Sequence, residues 1–153
     1  MRFIGTTETK VDPKGRTVIP VAFRRVLKEH GEERVVLRKD DFQPCLVIYP
    51  ESAWSALVDT VRARLNRWDP QQQMMFRQFV SDVEVQTLDS AGRILIPRRY
   101  LQMAAIDTAV KIIGMDDSME LWADDGSGKP FMEPADFVKA MQQIMNPENN
   151  NAR

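Results

Sequence analysis

The sequence predicts an α+β fold built as a tandem duplication, and three observations lead to this prediction. The phrase DPKGRTVIP at residues 12–20 returns as DSAGRILIP at residues 89–97. Short β-branched or alternating runs, which are typical of strands, surround both copies. Between the copies, apolar residues recur at the spacing of amphipathic helices. We therefore expect two similar halves and a helical connector.

The first half is predicted to run strand, turn, strand, helix and hairpin. The runs TETKV (7–11) and TVIP (17–20) flank the turn DPKGR. Pro20 suits the first turn of a helix, and VAFRRVLKEHG (21–31) ends on a glycine stop signal, with His30 as a helix cap. The runs RVVLRK (34–39) and CLVIY (45–49) form a hairpin around DDFQP.

The connector begins at Glu51, where the apolar period becomes helical. Its first helix keeps Arg62, Arg64 and Arg67 on the solvent face. Asp69 and Pro70 then cap and begin a second helix. The residues predicted to face inward from this second helix are Met75, Phe76, Phe79 and Val80.

The second half repeats the order of the first. VEVQTL (83–88) and ILIP flank DSAGR, the helix RRYLQMAA follows, and AVKIIGM (109–115) with MELWA (119–123) forms a hairpin. A loop, the helix EPADFVKAMQQIM and a frayed tail NPENNNAR complete the chain. The predicted organisation is a first repeat at 1–50, a connector at 51–81, a second repeat at 82–123 and a C-terminal region at 124–153.

Composition excludes several classes of function. No run of about 18 apolar residues and no signal peptide occurs, so we expect a cytoplasmic protein without a membrane partner. With one histidine and one cysteine, Cys45, which is expected to be buried, the chain lacks the ligands of a zinc site and the residues of a Cys-His nucleophile. We therefore predict no enzyme, catalytic residue, metal, cofactor or small-molecule substrate.

Charge is unevenly distributed along the chain, although the formal net charge is only −1. Residues 1–39 carry ten Lys and Arg against five Asp and Glu, whereas residues 115–153 carry three against eight. A basic surface on the first half is therefore compatible with an acidic total, and phosphate binding requires such a local surface.

The repeated DxxGR phrase combines three residue types with distinct roles. Gly15 and Gly92 allow a sharp reversal at positive φ. Asp12 and Asp89 can accept backbone hydrogen bonds within the turn. Two interpretations of the following arginines, Arg16 and Arg93, remain open: each pairs with its aspartate and only pins the turn, or each faces outward to hold a phosphate or a base edge.

The difference between the two copies favours the first loop as an anion site. Lys14 makes that turn Lys-Gly-Arg, and Lys10 precedes it on the strand. Ala91 replaces the lysine in the second copy. The second loop is therefore predicted to be the weaker site.

The phrases VDPKGRTVIPVAFR and LDSAGRILIPRRYL resemble the paired DxxxR motifs of the MraZ family, bacterial transcriptional regulators. The likeness extends to FIG (3–5), MMFRQFVSD (74–82) and IIGMDDSMELW (112–122), and it covers roughly residues 1–123. It implies an AbrB-like swapped-hairpin β-barrel, formed here by two halves of one chain, in a ring-shaped homo-oligomer. It also implies nucleoid-associated binding to repeated boxes in promoter DNA upstream of division and cell-wall genes.

By the same resemblance, Lys14 and Arg16 fall on the DNA-contacting loop, with Arg93 as the counterpart of Arg16. Asp12, Gly15, Asp89 and Gly92 would be structural members of the motifs. The region from Asp124 onward does not match clearly. The competing interpretation is an oligomeric protein-binding scaffold or antitoxin-like module that docks a partner through its acidic C-terminal helix.

Other residues of interest have structural interpretations. The pairs Asp40-Asp41, Asp116-Asp117 and Asp124-Asp125 are expected to be solvated turn residues. Bulk for the core is expected from Trp54, Trp68, Trp122 and seven Phe. Met74, Met75, Met141 and Met145 are expected in core or subunit packing. For Arg24, Arg25, Arg98 and Arg99, a solvated or intersubunit role is favoured over DNA contact.

Overall fold

The computed structural model describes residues 1–146 and confirms each helix and strand that the sequence predicts. The predicted frayed tail, beyond its first residue, lies outside the described residues. The elements are β1 (Thr6–Lys10), β2 (Arg16–Val18), α1 (Val21–Glu29), β3 (Arg34–Lys39), β4 (Leu46–Pro50), α2 (Glu51–Ala63), α3 (Pro70–Ser81), β5 (Glu84–Thr87), β6 (Arg93–Leu95), α4 (Arg98–Met103), β7 (Ala109–Gly114), β8 (Met119–Ala123) and α5 (Pro134–Met145).

The two halves interlock by exchanging strands. A six-stranded antiparallel sheet has the order β1-β7-β8-β4-β3-β5, and a separate ribbon pairs β2 with β6. The pairings β1–β7, β3–β5, β4–β8 and β2–β6 each join one half to the other. Within residues 1–146, the strands form these two separate sheets. Strand hydrogen bonds therefore do not close the predicted β-barrel.

The core follows from strand alternation, because successive side chains point to opposite faces of a sheet. Each central strand sends alternate residues into one cluster, among them Val35, Leu37, Leu46, Ile48, Val110, Ile112, Met119 and Leu121. Phe3, Phe23 and Tyr100 supply its buried aromatic rings, and Phe3 meets Phe23 edge-to-face with centroids 5.6 Å apart. Burying each such side chain contributes about 1.5–3 kcal/mol.

The connector covers the outer face of β3 and β4. Trp54 of α2 stacks on Phe79 of α3 with ring centroids 5.2 Å apart and lies 5.5 Å from the ring of Tyr49 on β4. Arg38 of β3 is buried there, with its guanidinium 4.6 Å from the centroid of Phe79. As expected, Asp69 caps α3 by accepting the Gln71 N–H at 2.9 Å.

Several expectations about packing are wrong. Trp68 is 92% exposed and adds nothing to the core. Met75 was expected to face inward but is exposed, and Met74, Met141 and Met145 are exposed as well. Neither α3 (Pro70–Ser81) nor α5 (Pro134–Met145) contains a buried residue. Subunit packing remains as the prediction for these methionines.

Candidate nucleic-acid interface

The first DxxGR loop is organised by the carboxylate of Asp12. Its Oδ1 accepts the backbone N–H groups of Lys14 at 2.9 Å and Arg16 at 2.8 Å, and its Oδ2 accepts Arg16 Nε at 2.7 Å. The backbone closes the turn, since Gly15 N donates to Asp12 O at 2.9 Å and Asp12 N to Arg16 O at 2.9 Å. One carboxylate therefore fixes both the turn and the direction of the arginine.

The second loop has the same geometry. Asp89 Oδ1 accepts the N–H groups of Ala91 at 2.9 Å and Arg93 at 2.8 Å, and Oδ2 accepts Arg93 Nε at 2.8 Å. Gly15 and Gly92 both have positive φ, 88° and 78°. Both loops therefore combine a carboxylate acceptor with a glycine at positive φ.

Hydrogen bonding lowers the pKa of both aspartates. The largest cause is the backbone N–H of Arg16 for Asp12 and of Arg93 for Asp89, with the guanidinium adding to each. Both carboxylates are therefore ionised at neutral pH. Each arginine uses only Nε for this ion pair. Its two Nη groups make no hydrogen bond to any residue in 1–146.

The β2–β6 ribbon brings the two loops together. Each loop glycine accepts a bond from the opposite half: Ile96 N donates to Gly15 O at 2.8 Å, and Ile19 N to Gly92 O at 2.9 Å. In the register, Arg16 lies opposite Leu95, and Val18 lies opposite Arg93. Strand spacing and rise then place the two arginine Cα atoms roughly 8 Å apart.

The outer face of the ribbon consists of Arg16, Val18, Arg93 and Leu95, because opposite residues and residues two apart share a face. Its inner face is Thr17 and Ile94, both buried. Val18 is 37% exposed and Leu95 52% exposed. The surface therefore presents two directed guanidinium groups beside two exposed apolar side chains, a combination suited to phosphate and to the apolar parts of bases.

The remaining predicted cations separate into different settings. Lys14 is exposed at the tip of the first loop. Arg99 is engaged by Asp82 and Glu84, each at 2.9 Å, and serves the fold. Arg25 and Arg98 are exposed, while Arg24 is half-buried against the second loop. The expected solvated or intersubunit role stays a prediction for these arginines, and their surroundings differ from one to the next.

The paired carboxylates are less uniform than expected. Asp40 caps its turn by accepting the N–H of Gln43 at 2.8 Å, but Asp41 makes a bidentate pair with Arg38 at 2.8 and 2.9 Å. Asp124 and Asp125 each accept a backbone N–H two residues on, as turn residues do. Within residues 1–146, no group of three or more His, Cys, Asp or Glu is placed to hold a metal ion.

Two other sequence interpretations are confirmed. His30 ends α1, with its backbone N–H bonded to Val26 O and Leu27 O. Cys45 is buried, and burial raises the pKa of its thiol to about 12. Among the helices in the described part of the chain, none is long and apolar enough to cross a membrane.

Sequence reasoning missed the apolar half of the outer face. The sequence patterns assign Val18 and Leu95 only to strands, although their spacing of two from Arg16 and Arg93 is a signal that each shares a face with an arginine. The pairing of β2 with β6, which aligns these four residues, has no local signal because the strands are 77 residues apart in the repeat.

Comparison with known proteins places these features in a family. The family model described as "MraZ protein, putative antitoxin-like" matches residues 2–78 and 79–126. "Transcriptional regulator MraZ" of Phocaeicola vulgatus is 50% identical over 98% of this chain and 97% of its own length. The protein of the same name from Bacteroides thetaiotaomicron is 50% identical over 97% and 96%, and that of Christiangramia forsetii 29% identical over 95% and 94%.

Proposed function

Because the chain belongs to the MraZ family, a family of transcriptional regulators and not of enzymes, we propose that it regulates transcription by binding specific sequences in double-stranded promoter DNA. The observation that carries the proposal is the outer face of the β2–β6 ribbon. There Arg16 and Arg93 are held by ionised aspartates, and their Nη groups remain available for phosphate or guanine.

The ion pair and the DNA contact are compatible functions of the same arginine. Asp12 holds Nε, which fixes the plane of the guanidinium before DNA arrives. An ordered side chain loses less conformational entropy on binding than a free one. Lys14 adds a second cation to the first loop, so Lys14, Arg16 and Arg93 are the proposed DNA-binding residues.

A single protomer offers few phosphate contacts, so we propose that a ring-shaped homo-oligomer binds repeated promoter boxes. Non-specific binding at physiological salt is typically about 10⁻⁴ to 10⁻⁶ M. Linked sites raise avidity by roughly 10² to 10⁴ when geometry allows simultaneous contact. We also propose that these boxes lie upstream of division and cell-wall genes. The protein would then be cytoplasmic and associated with the nucleoid, and residues 1–50 and 82–123 would form its two repeats.

Exposed apolar surfaces support self-association. Phe42 is 89% exposed beside Met74 and Met75, at a cleft of about 770 Å³ between the β3–β4 turn and α3. The apolar side of α5, including Phe137 and Val138, is exposed as well. Monomeric proteins rarely leave such patches uncovered. Measuring the particle mass by light scattering, with and without promoter fragments carrying one or more boxes, tests the ring.

The proposed site predicts that Arg16→Ala loses specific DNA binding while the oligomer keeps its mass. The physical reason is that the substitution removes a directed cation from every protomer, whereas a partly exposed ion pair contributes little to folding. Binding by the unaltered protein should also weaken with salt, by about 0.9 log units per decade for each phosphate neutralised. Titration of labelled promoter DNA at several salt concentrations measures both effects.

Arg67→Ala is the matched control, because it removes the same charge from an exposed position on the connector. It should leave specific affinity near that of the unaltered protein. Equal affinities for the Arg16→Ala and unaltered proteins, with equal masses, would contradict the site.

A second function is favoured by the exposure of α5. An amphipathic helix with no buried residue suits a protein-binding scaffold or antitoxin-like module, and the matching family model carries the latter description. Pull-down in the absence of DNA, with Phe137→Glu as the variant, tests it. Loss of a captured partner without loss of DNA affinity would assign α5 to this role.

A further inference from the structure

The second loop lacks the lysine of the first, but another cation lies against it. The repeat offset aligns Lys14 with Ala91 and Arg24 with Leu101. The first loop thus carries an additional cation in its own turn, and α4 has a leucine where α1 has Arg24. For the second loop the arrangement is reversed, since Arg24 reaches it from α1 of the other half.

Arg24 is held closely against Gly92. Its Nε donates to Ile19 O at 2.9 Å, and Ile19 N donates to Gly92 O at 2.9 Å, so α1, β2 and the second loop are connected. A Cβ added at Gly92 would lie 2.5 Å from Arg24 Cδ and 2.7 Å from both Nε and Nη1. The absence of a side chain at Gly92 therefore makes room for the Arg24 guanidinium against the second loop.

The surroundings leave this guanidinium available to an anion. Arg24 and Lys28, one helical turn apart, line a cleft of about 410 Å³ together with Ser90 and Asp89. Asp89 is already occupied by its own turn and by Arg93. The other acids of the cleft are Glu32, which accepts from Ser52, and Glu33. Within residues 1–146, the Nη groups of Arg24 make no hydrogen bond.

We propose that Arg24 supplies the second cation of the second loop and binds a DNA phosphate there. The proposal rests on the proposed function and extends it, because both loops of a protomer then hold a pair of cations. The pair is Lys14 and Arg16 at the first loop and Arg24 and Arg93 at the second. The second loop is then no weaker an anion site than the first.

The test compares Arg24→Gln with Arg25→Gln, its neighbour on α1, which is exposed and carries the same charge. Each full-length variant is titrated with the promoter duplex at several salt concentrations. Arg24→Gln should weaken binding and lower the slope of log affinity against log salt by about 0.9 for each phosphate that is no longer neutralised. Arg25→Gln should change the slope less. Loss of the bond to Ile19 alone would not change the number of phosphates neutralised.

Moving the cation provides a second readout. Ala91→Lys in the Arg24→Gln background recreates the Lys-Gly-Arg turn of the first loop at an exposed position, so it should restore the salt slope. If Arg24→Gln unfolds, Ala91→Glu in the unaltered background replaces it, since it adds an acidic charge next to Gly92, against which Arg24 lies, and should lower the slope. Gln102→Glu, exposed on α4, is its control.

Equal slopes for Arg24→Gln and Arg25→Gln, or no restoration by Ala91→Lys, would overturn the inference. Equal slopes for Ala91→Glu and Gln102→Glu would also overturn it. Failure of the proposed function gives a different result, because Arg16→Ala would then bind DNA as well as the unaltered protein. If only the inference fails, Arg16→Ala still binds DNA more weakly than the unaltered protein.

Discussion

The carboxylate of Asp12 accepts three hydrogen bonds from its own loop, two from backbone N–H groups and one from Arg16 Nε, and Asp89 repeats the arrangement with Arg93. At the scale of the residue, turn formation and arginine placement therefore depend on one ionised group. Because these bonds favour the charged form, they lower its pKa below the ordinary value of 3.8.

This shift predicts how stability depends on pH. A lowered pKa in the folded state means that the ionised aspartate stabilises the fold above pH 3.8, and that this contribution is lost as pH falls through the lowered pKa. Asp12→Asn should therefore melt at a lower temperature than the unaltered protein near neutral pH. The difference in Tm should shrink below pH 3.8. Thermal melts followed by circular dichroism across this range measure it.

Asp59→Asn, at an exposed position on α2, is the control and should leave Tm nearly unchanged near neutral pH. A difference in Tm for Asp12→Asn that stays constant from neutral to acidic pH would contradict the assigned role of the carboxylate.

At the scale of the element, α1 and α4 end in the same backbone motif with different residues. After α1, Gly31 has φ 66°, and the bonds Gly31 N to Lys28 O and Glu32 N to Leu27 O close the helix. After α4, Ala105 takes the equivalent place with φ 54°. This is the Schellman motif, whose left-handed residue is usually glycine. The second half therefore carries strain that the first half avoids.

Ala105→Gly should raise the free energy of unfolding by about 0.5–1 kcal/mol. The left-handed conformation costs an L-residue about 1–2 kcal/mol, and the greater freedom of glycine in the unfolded chain offsets part of the gain. The exposed methyl group of Ala105 contributes little packing. Urea unfolding measures the change.

Gly31→Ala is the matched opposite. No atom lies within 4 Å of an added Cβ there, so the expected loss, about 1 kcal/mol, is purely conformational. The two substitutions should therefore change the free energy of unfolding in opposite directions. A loss of stability in Ala105→Gly would refute the explanation.

At the scale of the whole molecule, strand exchange makes the two halves depend on each other. β1 and β2 find their partners in β7 and β6, and β5 finds its partner in β3. The shared core contains residues from both halves, including Phe23, Ile48, Tyr100 and Ile112. Either half alone would leave edge strands unpaired and one side of the core exposed.

Residues 1–81 and 82–153, produced as separate chains, should therefore not melt cooperatively as dilute monomers. Mixing them should restore a cooperative transition, because the pairings that join the halves need no covalent connection. Circular dichroism melts with parallel mass measurement test this. Cooperative melting of either half as a monomer would contradict mutual dependence.

Local sequence signals were sufficient for the elements and for much of the loops. Alternation and helical periodicity predicted all the observed helices and strands, and DxxGR predicted a turn with an aspartate as acceptor. They were not sufficient to predict the exposure of Trp68 and Met75 or the ion pair of Asp41. Periodicity indicates which face of a helix is apolar, but it does not indicate whether another surface covers that face. Local spacing likewise did not show that Asp41 pairs with the buried Arg38.

The sequence by itself determined the duplication, the order of elements and the chemistry of each loop, because these depend on neighbouring residues and on backbone preferences. Only the tertiary structure decided that β2 pairs with β6, which places Arg16, Val18, Arg93 and Leu95 on one face. It also decided that Arg24 lies against Gly92. Both contacts join residues far apart in the chain, and they form only when burial of a shared core brings the two halves together.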